Sequence, residues 1–444
     1  MRDLSRKPFY RERRLLFLLL VFQLLFVGGF CLQSGGIYTV TWIGDQSYSI
    51  SETPVSLAPL LLATLVLMAL EVFVVIRSVR SNLHIMTYLV AVGMLLTFGM
   101  VYQSFFSLKS YLLYAALALI AMAVMYWLTS RWYPATDQES FPREAILMII
   151  LIAVLMAVNL LFGSTANGAR LWVYIGPFSF QPGEFLKVPA VLLSPCCYGT
   201  RRRRSMAIVS IVVYIAIIGM LILLRDLGNA VVFFALLVVS IYYLFDSFKL
   251  FLGLLVAAFA GLGLVAAFVP YVHDRLADWG QAVVTTDSQL YRAMVAIVKG
   301  GIQGLGVDES ANYLNATRLF AMSNDTAFGG FMAIFGVATS ALIVAAVLIL
   351  VLSPLFTPAV TPFSHLAIVG VSVILFVQTT LNLGGGADVL PFTGINFPFL
   401  SSGGSSLLTC GALAGIQLGA MNTSVRVSHP VLNKKGGLRF AKKK

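Results

Sequence analysis

An all-α, polytopic membrane fold is predicted by three features of this 444-residue chain: its composition, its apolar runs and the placement of its charges. Hydrophobic residues make up 59% of it and charged residues only 11%, whereas soluble domains carry about 25% charged residues. Mean hydropathy is +0.91. A membrane-spanning helix needs about 20 apolar residues, and about twelve stretches meet or approach that length. In order they are 15–33, 55–76, 85–107, 111–129, 144–162, 184–199, 206–224, 229–246, 249–271, 330–352, 364–383 and 404–421. The stretch 184–199 is short, and 108–110 leaves room only for a tight turn.

With the N-terminus in the cytoplasm and the spans alternating, most of the 30 Lys and Arg fall on the inner side, while the 18 acidic residues lean outward. That is the positive-inside asymmetry. The net charge of +12 is therefore expected to set topology and meet anionic lipid, with no role for nucleic acid. An even number of spans places both termini in the cytoplasm. The first apolar run follows a long basic head and lacks a small-residue cleavage pattern, so it is expected to be retained as a helix. Cys31, Cys196, Cys197 and Cys410 lie in apolar runs without metal-ligand spacing and read as packing residues. The four His are scattered, which argues against a histidine metal site.

Polar character gathers on the outer side, which favours outward-facing chemistry or binding over transport. Segment 163–187, GSTANGARLWVYIGPFSFQPGEFLK, offers Arg170, Trp172, Gln181, Glu184 and Lys187. Trp and Arg are common at membrane interfaces, and Glu184 and Lys187, three apart, can pair on a helix. Charges at the start of a span are nevertheless costly unless paired or functional. Arg225-Asp226 interrupts about forty apolar residues between 206 and 246; it reads equally as a hairpin turn or as an acid facing the bundle interior.

The loop 272–329 is the longest non-apolar region, and loops beyond about 15 residues are usually functional or disordered. It contains an amphipathic stretch from Gln289, then Gly300, Gly301, Gly304 and Gly306, and ends with Asp325 ahead of the next span. From position alone a helix cap is the favoured reading of Asp325. Residues 379–406, TTLNLGGGADVLPFTGINFPFLSSGGSS, hold six Gly and two Pro between apolar runs. Such a segment is not expected to form an ordinary spanning helix. Irregular backbone at membrane depth is tolerated where protein buries it or where it lines a wet cavity, so a re-entrant loop is expected.

Four segments, taken in order, resemble the SEDS proteins, the RodA/FtsW/SpoVE family of membrane peptidoglycan glycosyltransferases. Asn167-Gly168-Ala169-Arg170-Leu171-Trp172, then Gly176, Gln181-Pro182-Gly183-Glu184 and Lys187 resemble its GA-R-W…G…QPSE…K segment. Asp226-Leu227-Gly228 resembles its PDLGTA turn, and Gln289 with Gly300 to Gly306 its Q…GG-x-x-G-x-G segment. Asn382, Leu390, Pro391, Thr393, Gly394, Pro398, Phe399, Ser401, Gly403, Gly404, Ser405 and Ser406 match its long N…LP-x-TG-x-x-x-PF-x-S-x-GGSS signature. The chain departs from the pattern at Gly183 for Ser, Arg225 for Pro, Phe320 for Pro and Asn324 for Thr. An acidic pair in the family falls here on Ala333 and Ile334.

The resemblance implies a ten-helix core, covering about 85–425 and beginning at 85–107, with the hairpin 15–76 an N-terminal addition. The domain expectation is a basic head and hairpin over 1–80, a core over 81–425 with its large outer loop at 272–329, and a basic tail over 426–444. The implied reaction is polymerisation of lipid II at the outer face of the bacterial cytoplasmic membrane, with a class B penicillin-binding protein as transpeptidase partner. By alignment with the family's Thr-Asp pair, Asp325 becomes the catalytic base. Substrate contacts are implied at Arg170, Trp172, Gln181, Glu184, Lys187, Arg225, Asp226, Gln289, Asn382, Thr393, Ser401, Ser405 and Ser406. Of these, Arg170, Lys187 and Arg225 would meet the pyrophosphate and Glu184 would orient Lys187. Asp226 would hold a donor or a divalent cation, Mg or Mn. The hydroxyls of Thr393, Ser401, Ser405 and Ser406 suit fixing the re-entrant loop or touching sugar hydroxyls. A lipid-linked precursor flippase and a non-catalytic scaffold are the alternative readings.

Overall fold

The computed structural model describes residues 7–33, 40–42, 48–50, 57–78, 83–132, 141–166, 169–176, 178–198, 203–245, 248–280, 289–306, 309–310, 320–357 and 362–428. The side chains of the basic head and tail, on which the orientation argument leans, lie outside them. Each expected apolar stretch carries a helix. The first five are α1 (Lys7–Gln33), α2 (Ala58–Ser78), α3 (Leu83–Gln103), α4 (Leu108–Trp132) and α5 (Phe141–Phe162). The short strands β1 (Val40–Trp42) and β2 (Tyr48–Ile50) pair in antiparallel fashion between α1 and α2. After α5 come β3 (Ser164–Ala166), β4 (Ala169–Ile175) and β5 (Phe178–Phe180), an antiparallel sheet in the order β3-β4-β5. The one-turn α6 (Pro182–Phe185) leads into α7 (Lys187–Tyr198), α8 (Arg203–Leu223), α9 (Leu227–Phe245) and α10 (Phe248–Phe268). The short α11 (Pro270–Ala277) and the amphipathic α12 (Gln289–Gly300) precede α13 (Ala327–Leu352), α14 (Pro362–Gly386) and α15 (Gly404–Ser428).

Among the described residues, seven helical segments are long and apolar enough to cross a membrane, and 58–72, 208–223 and 227–243 are shorter apolar helices. Leu, Ile and Val remain exposed on the outer faces of α4, α5 and α8, for example Leu113, Ile150 and Val212, as expected where the surrounding solvent is lipid.

The expectations need five amendments. The all-α reading misses the two small sheets; β3–β5 pair locally because Trp172, Val173 and Tyr174 are strand formers outside the apolar runs. The turn expected at 108–110 lies earlier, since α3 ends at Gln103 and α4 begins at Leu108. The expected span 184–199 is divided into α6 and α7. The expected span 330–352 starts at Ala327 and is broken at Gly336, whose φ of 78° and ψ of 169° are not helical. The Gly/Pro-rich stretch is irregular only after Gly386, because 379–386 continues α14.

The break at Gly336 explains the glycine cluster of the large loop. Leu305 N donates to Ala333 O at 3.0 Å and Val337 N to Gly301 O at 3.1 Å, so the interrupted helix completes its backbone pairing with the 300–306 segment. A Cβ on Gly304 would lie 2.2 Å from Ile334 O. A second stripe was not legible as such: Gly411, Gly415 and Gly419 on α15 lie against α4, where a Cβ on Gly411 or Gly415 would come within 2.2 Å of the Ala118 or Met122 carbonyl. Small residues at four-residue spacing let two membrane helices approach at backbone distance.

Candidate active site

Asp325 sits in the short segment between the 3-10 turn Phe320–Ser323 and α13. It does not cap that helix. Thr326 occupies the N-cap position and makes no side-chain capping bond. Among the described residues the Asp325 carboxyl receives no hydrogen bond; only its backbone carbonyl is engaged, by Asn382 Nδ2 at 2.9 Å. The side chain is half-buried beside Gly394, where a Cβ would stand 3.7 Å from Asp325 Oδ2. Burial pushes its pKa up to about 6, opposed by the positive charge of Arg275. A carboxylate that titrates near neutrality and has free lone pairs is suited to accept a proton.

The irregular stretch from Leu390 to Gly403 is the frame that holds this segment. Asn382 Nδ2 also donates to Ile395 O at 2.7 Å, tying the two together. Ser401 Oγ donates to Asn324 O at 2.8 Å and accepts from Phe397 N at 2.9 Å. Ser402 Oγ donates to Asn324 Oδ1 at 2.6 Å. From α3, Gln103 Nε2 donates to both Ser323 O and Leu400 O at 2.9 Å, and Tyr102 OH donates to Met322 O at 2.5 Å. Phe328 stacks on Phe397 with ring centroids 5.6 Å apart. Thus Asn382 and Ser401 act on the loop's backbone. Ser406 is buried 3.4 Å from Gln378 Nε2, a packing role.

A second polar cluster is buried beneath. Lys187 Nζ and Glu184 Oε1 pair at 2.8 Å with almost no exposure. Asp226, in the turn between α8 and α9, accepts from Asn229 N at 3.1 Å, Asn229 Nδ2 at 2.9 Å and Gln181 Nε2 at 3.4 Å. Burial raises its pKa, with the Asn229 bonds and Lys187 opposing and Glu184 adding. A Cβ on Gly183 would lie 3.1 Å from Asp226 Oδ2, so the serine-to-glycine departure leaves room at that carboxylate. Gln181 N donates to Ser405 Oγ at 3.0 Å, which joins α6 to α15. The two clusters meet at Thr393-Gly394-Ile395. A Cβ on Gly228 would lie 3.3 Å from Thr393 and Ile395 on one side, and Gly394 faces Asp325 on the other. Both Asp226 oxygens are engaged by Asn229 and Gln181, and among the described residues no group of three His, Cys, Asp or Glu could hold a metal ion. A divalent cation at Asp226 would have to compete with these amide donors, and the residues present suit a hydrogen-bonded carboxylate better than a metal site.

Cations at the outer rim come from two directions. Arg225, exposed and at φ 65°, holds its guanidinium 5.4 Å from the Tyr271 ring centroid, and Arg275 stands 5.3 Å from the same ring. Arg275 Nη1 donates to Phe392 O at 2.5 Å. Arg275 and Tyr271 were not anticipated. The signal was present, since an aromatic and a basic residue four apart on α11, started by Pro270, share one face. Arg170 is exposed and its Nε donates to Gly163 O at 2.6 Å, while its backbone N–H reaches Leu224 O at 3.2 Å, next to Arg225. Trp172 is half-buried in β4, opposite Ser164 and outside both clusters. Gln289 begins α12, and its side chain lies outside the described residues. Ala333 and Ile334 are buried against the 300–306 splice, away from solvent.

The family described as "Cell cycle protein", FtsW/RodA/SpoVE, matches residues 80–425. Similar curated proteins include a probable peptidoglycan glycosyltransferase FtsW of Saccharophagus degradans, 31% identical over 289 residues, covering 61% of this chain and 73% of that one. Stage V sporulation protein E of Bacillus subtilis is 27% identical over 338 residues, covering 71% of this chain and 87% of that one. Among solved structures, one described as "Structural coordination of polymerization and crosslinking by a peptidoglycan synthase complex" has a TM-score of 0.58 at 22% identity, covering 77% of this chain and 98% of that chain. Thermus thermophilus rod shape determining protein RodA has a TM-score of 0.51 at 20% identity, covering 78% and 98%. The structural likenesses carry the fold, with α1 and α2 lying ahead of the matched residues. On the family match, together with the motifs gathered around Asp325 and Asp226, the chain belongs to the FtsW/RodA/SpoVE family of cell cycle proteins.

Proposed function

We propose that this protein is a peptidoglycan glycosyltransferase that polymerises lipid II at the outer face of the bacterial cytoplasmic membrane. The observation that carries this reading is a half-buried carboxyl, free of hydrogen bonds among the described residues and lifted to a pKa of about 6, at a rim bearing two arginines set against one tyrosine ring. Asp325 takes the proton from the acceptor sugar hydroxyl. The oxygen then attacks the anomeric carbon of the donor, forming the new glycosidic bond with inversion. The bond from that carbon to the lipid pyrophosphate breaks, and the pyrophosphate leaves with the electron pair. Arg275 and Arg225 stabilise the charge that develops on it. Arg170, on the strand that pairs with Leu224, is available to the same anion. Glu184, Lys187 and Asp226 support the floor of the site from below and do not touch the reacting atoms.

The membrane arrangement follows as twelve spans, a ten-helix core plus the α1–α2 hairpin, with both termini cytoplasmic. The partner reading is a class B penicillin-binding protein that crosslinks the nascent strands. It is supported by likeness to the chain described within a peptidoglycan synthase complex. Names among the relatives point to division or sporulation as the cellular setting. The test is reconstitution of purified protein with its transpeptidase partner and lipid II, followed by gel separation of glycan strands. Strand formation by wild type and its loss in Asp325→Asn are expected. Strand formation at wild-type rate by the folded variant removes Asp325 from the chemistry.

A further inference from the structure

We propose that the α1–α2 hairpin is an intramembrane buttress that positions the segment carrying Asp325. The hairpin precedes the residues that the family shares, so a role for it has to come from what it touches.

Two sets of contacts attach it. The first is a polar lock. Gln23 on α1 is fully buried, and its Nε2 donates to Glu71 Oε1 on α2 and to Thr97 Oγ1 on α3, each at 3.0 Å. Thr97 Oγ1 donates onward to Gly93 O at 2.8 Å. Gly93 is what lets Glu71 in, because a Cβ there would lie 2.1 Å from Glu71 Oε1. An amide, a carboxyl and a hydroxyl buried among apolar helices fix one register, since sliding any helix strands a polar group in hydrocarbon. Lipid chains could cover the same face of α3 but could not supply the donor.

The second set is aromatic and runs from α1 to both ends of the Asp325 segment. Phe22 and Phe26 meet Phe98 edge-on at 5.4 and 5.0 Å. Phe98 meets Phe331 at 5.5 Å, and Phe331 meets Tyr102 at 5.8 Å. Tyr102 OH holds Met322 O, three residues before Asp325. Phe26 and Phe30 also pack on Phe335, at 5.9 and 6.4 Å, directly before the break at Gly336. Asp325 lies between these attachments, Met322 upstream and Phe331 to Phe335 downstream. Close-packed side chains transmit displacement because they have no voids to absorb it, so withdrawing the α1 rings frees the segment at both ends. Phe26, which touches Phe98 and Phe335 together, is the central positioning residue.

The activity arm of the test rests on the glycosyltransferase reading, so a second arm does not use activity. Full-length protein in lipid nanodiscs is compared as wild type, Phe26→Ala, Phe26→Leu and Leu67→Ala. Leu67 is a buried hairpin residue that lines a cavity with Leu19, Gly93 and Leu96, a lining that includes none of the rings of the aromatic path. Amide hydrogen exchange across 322–326 is expected to accelerate about tenfold in Phe26→Ala and to be unchanged in Leu67→Ala. Polymerisation kcat is expected to fall by a similar factor in Phe26→Ala with KM unchanged, and Phe26→Leu is expected to recover most of it. Equal exchange in all four proteins, or equal acceleration in Phe26→Ala and Leu67→Ala, overturns the proposal. If Phe26→Ala does not fold, Phe30→Ala, which removes the other α1 ring on Phe335, takes its place against Leu67→Ala, with faster exchange across 322–326 expected in Phe30→Ala alone and equal exchange in the two overturning the proposal. Accelerated exchange with no polymerisation by any form, wild type included, upholds the buttress and sinks the glycosyltransferase reading instead.

Discussion

The pH dependence of polymerisation follows from the surroundings of Asp325. Burial lifts its carboxyl to about 6 and Arg275 opposes the rise. The base form is the ionised one, so the rate should climb with pH through an acidic limb centred near 6. At pH 7 about nine-tenths of the carboxyl is ionised and at pH 5 about one-tenth, roughly a tenfold fall in rate across that interval. Arg275→Gln removes the opposing charge, so its limb should move to higher pH, separately from any loss of leaving-group stabilisation at the plateau. Asp325→Asn removes the base and should cost roughly 10²–10⁴ in kcat at pH 7.5. The assay is initial rate of strand formation from lipid II across pH 4.5–8 (on the order of one reading per half unit) in a mixed buffer of constant ionic strength. A limb near pH 4, or one that Arg275→Gln leaves in place, would refute the assignment. The linked stability effect has the opposite sense. The folded carboxyl holds its proton more tightly than an unfolded one, so its contribution is present below about pH 4 and is lost as pH rises through about 6.

Three further outcomes test the surrounding structure. Lys187→Met strands the Glu184 charge in a buried site and should cost about 3–5 kcal/mol. Thermal unfolding in detergent should show the Glu184→Gln/Lys187→Met double variant losing less than the single one. Gly415→Leu places a Cβ where only 2.2 Å separates it from Met122 O, so α4 and α15 must part; a loss of about 1–3 kcal/mol is expected by the same measurement, whereas Gly219→Leu, with open space around it, should be neutral. Arg225→Gly relieves a non-glycine residue at φ 65° and should stabilise by about 1 kcal/mol. The same change should raise the KM for lipid II through the lost cation.

Much of the architecture was legible in one dimension because a helix in lipid satisfies its own backbone. Each apolar run of sufficient length therefore announced itself, and each of the twelve expected stretches carries a helix. The break inside α13 and the composition of the site were not legible, because irregular backbone there is stabilised by partners distant in sequence. The break at Gly336 is paired by Leu305 and Gly301, some thirty residues away. Likewise Arg275 became part of the site only when α11 turned it toward Phe392, 117 residues downstream.

The two readings of Asp325 show where that boundary lies. In the sequence it was an acid before a helix, by position a cap, and motif resemblance alone tipped the balance toward a base. The tertiary structure places Thr326 at the cap and leaves the Asp325 carboxyl facing Gly394 with no hydrogen bond from the described residues. The Gly/Pro-rich stretch was the most recognisable part of the chain, and its serines and Asn382 hold backbone carbonyls of the 323–325 segment. Membrane class and helix positions were determined by composition and run length, properties that need no neighbours, and the candidate acid by motif resemblance. Which charges are buried together, which are free, and how an additional hairpin reaches the Asp325 segment were decided by packing, because burial and pairing exist only once distant segments have met.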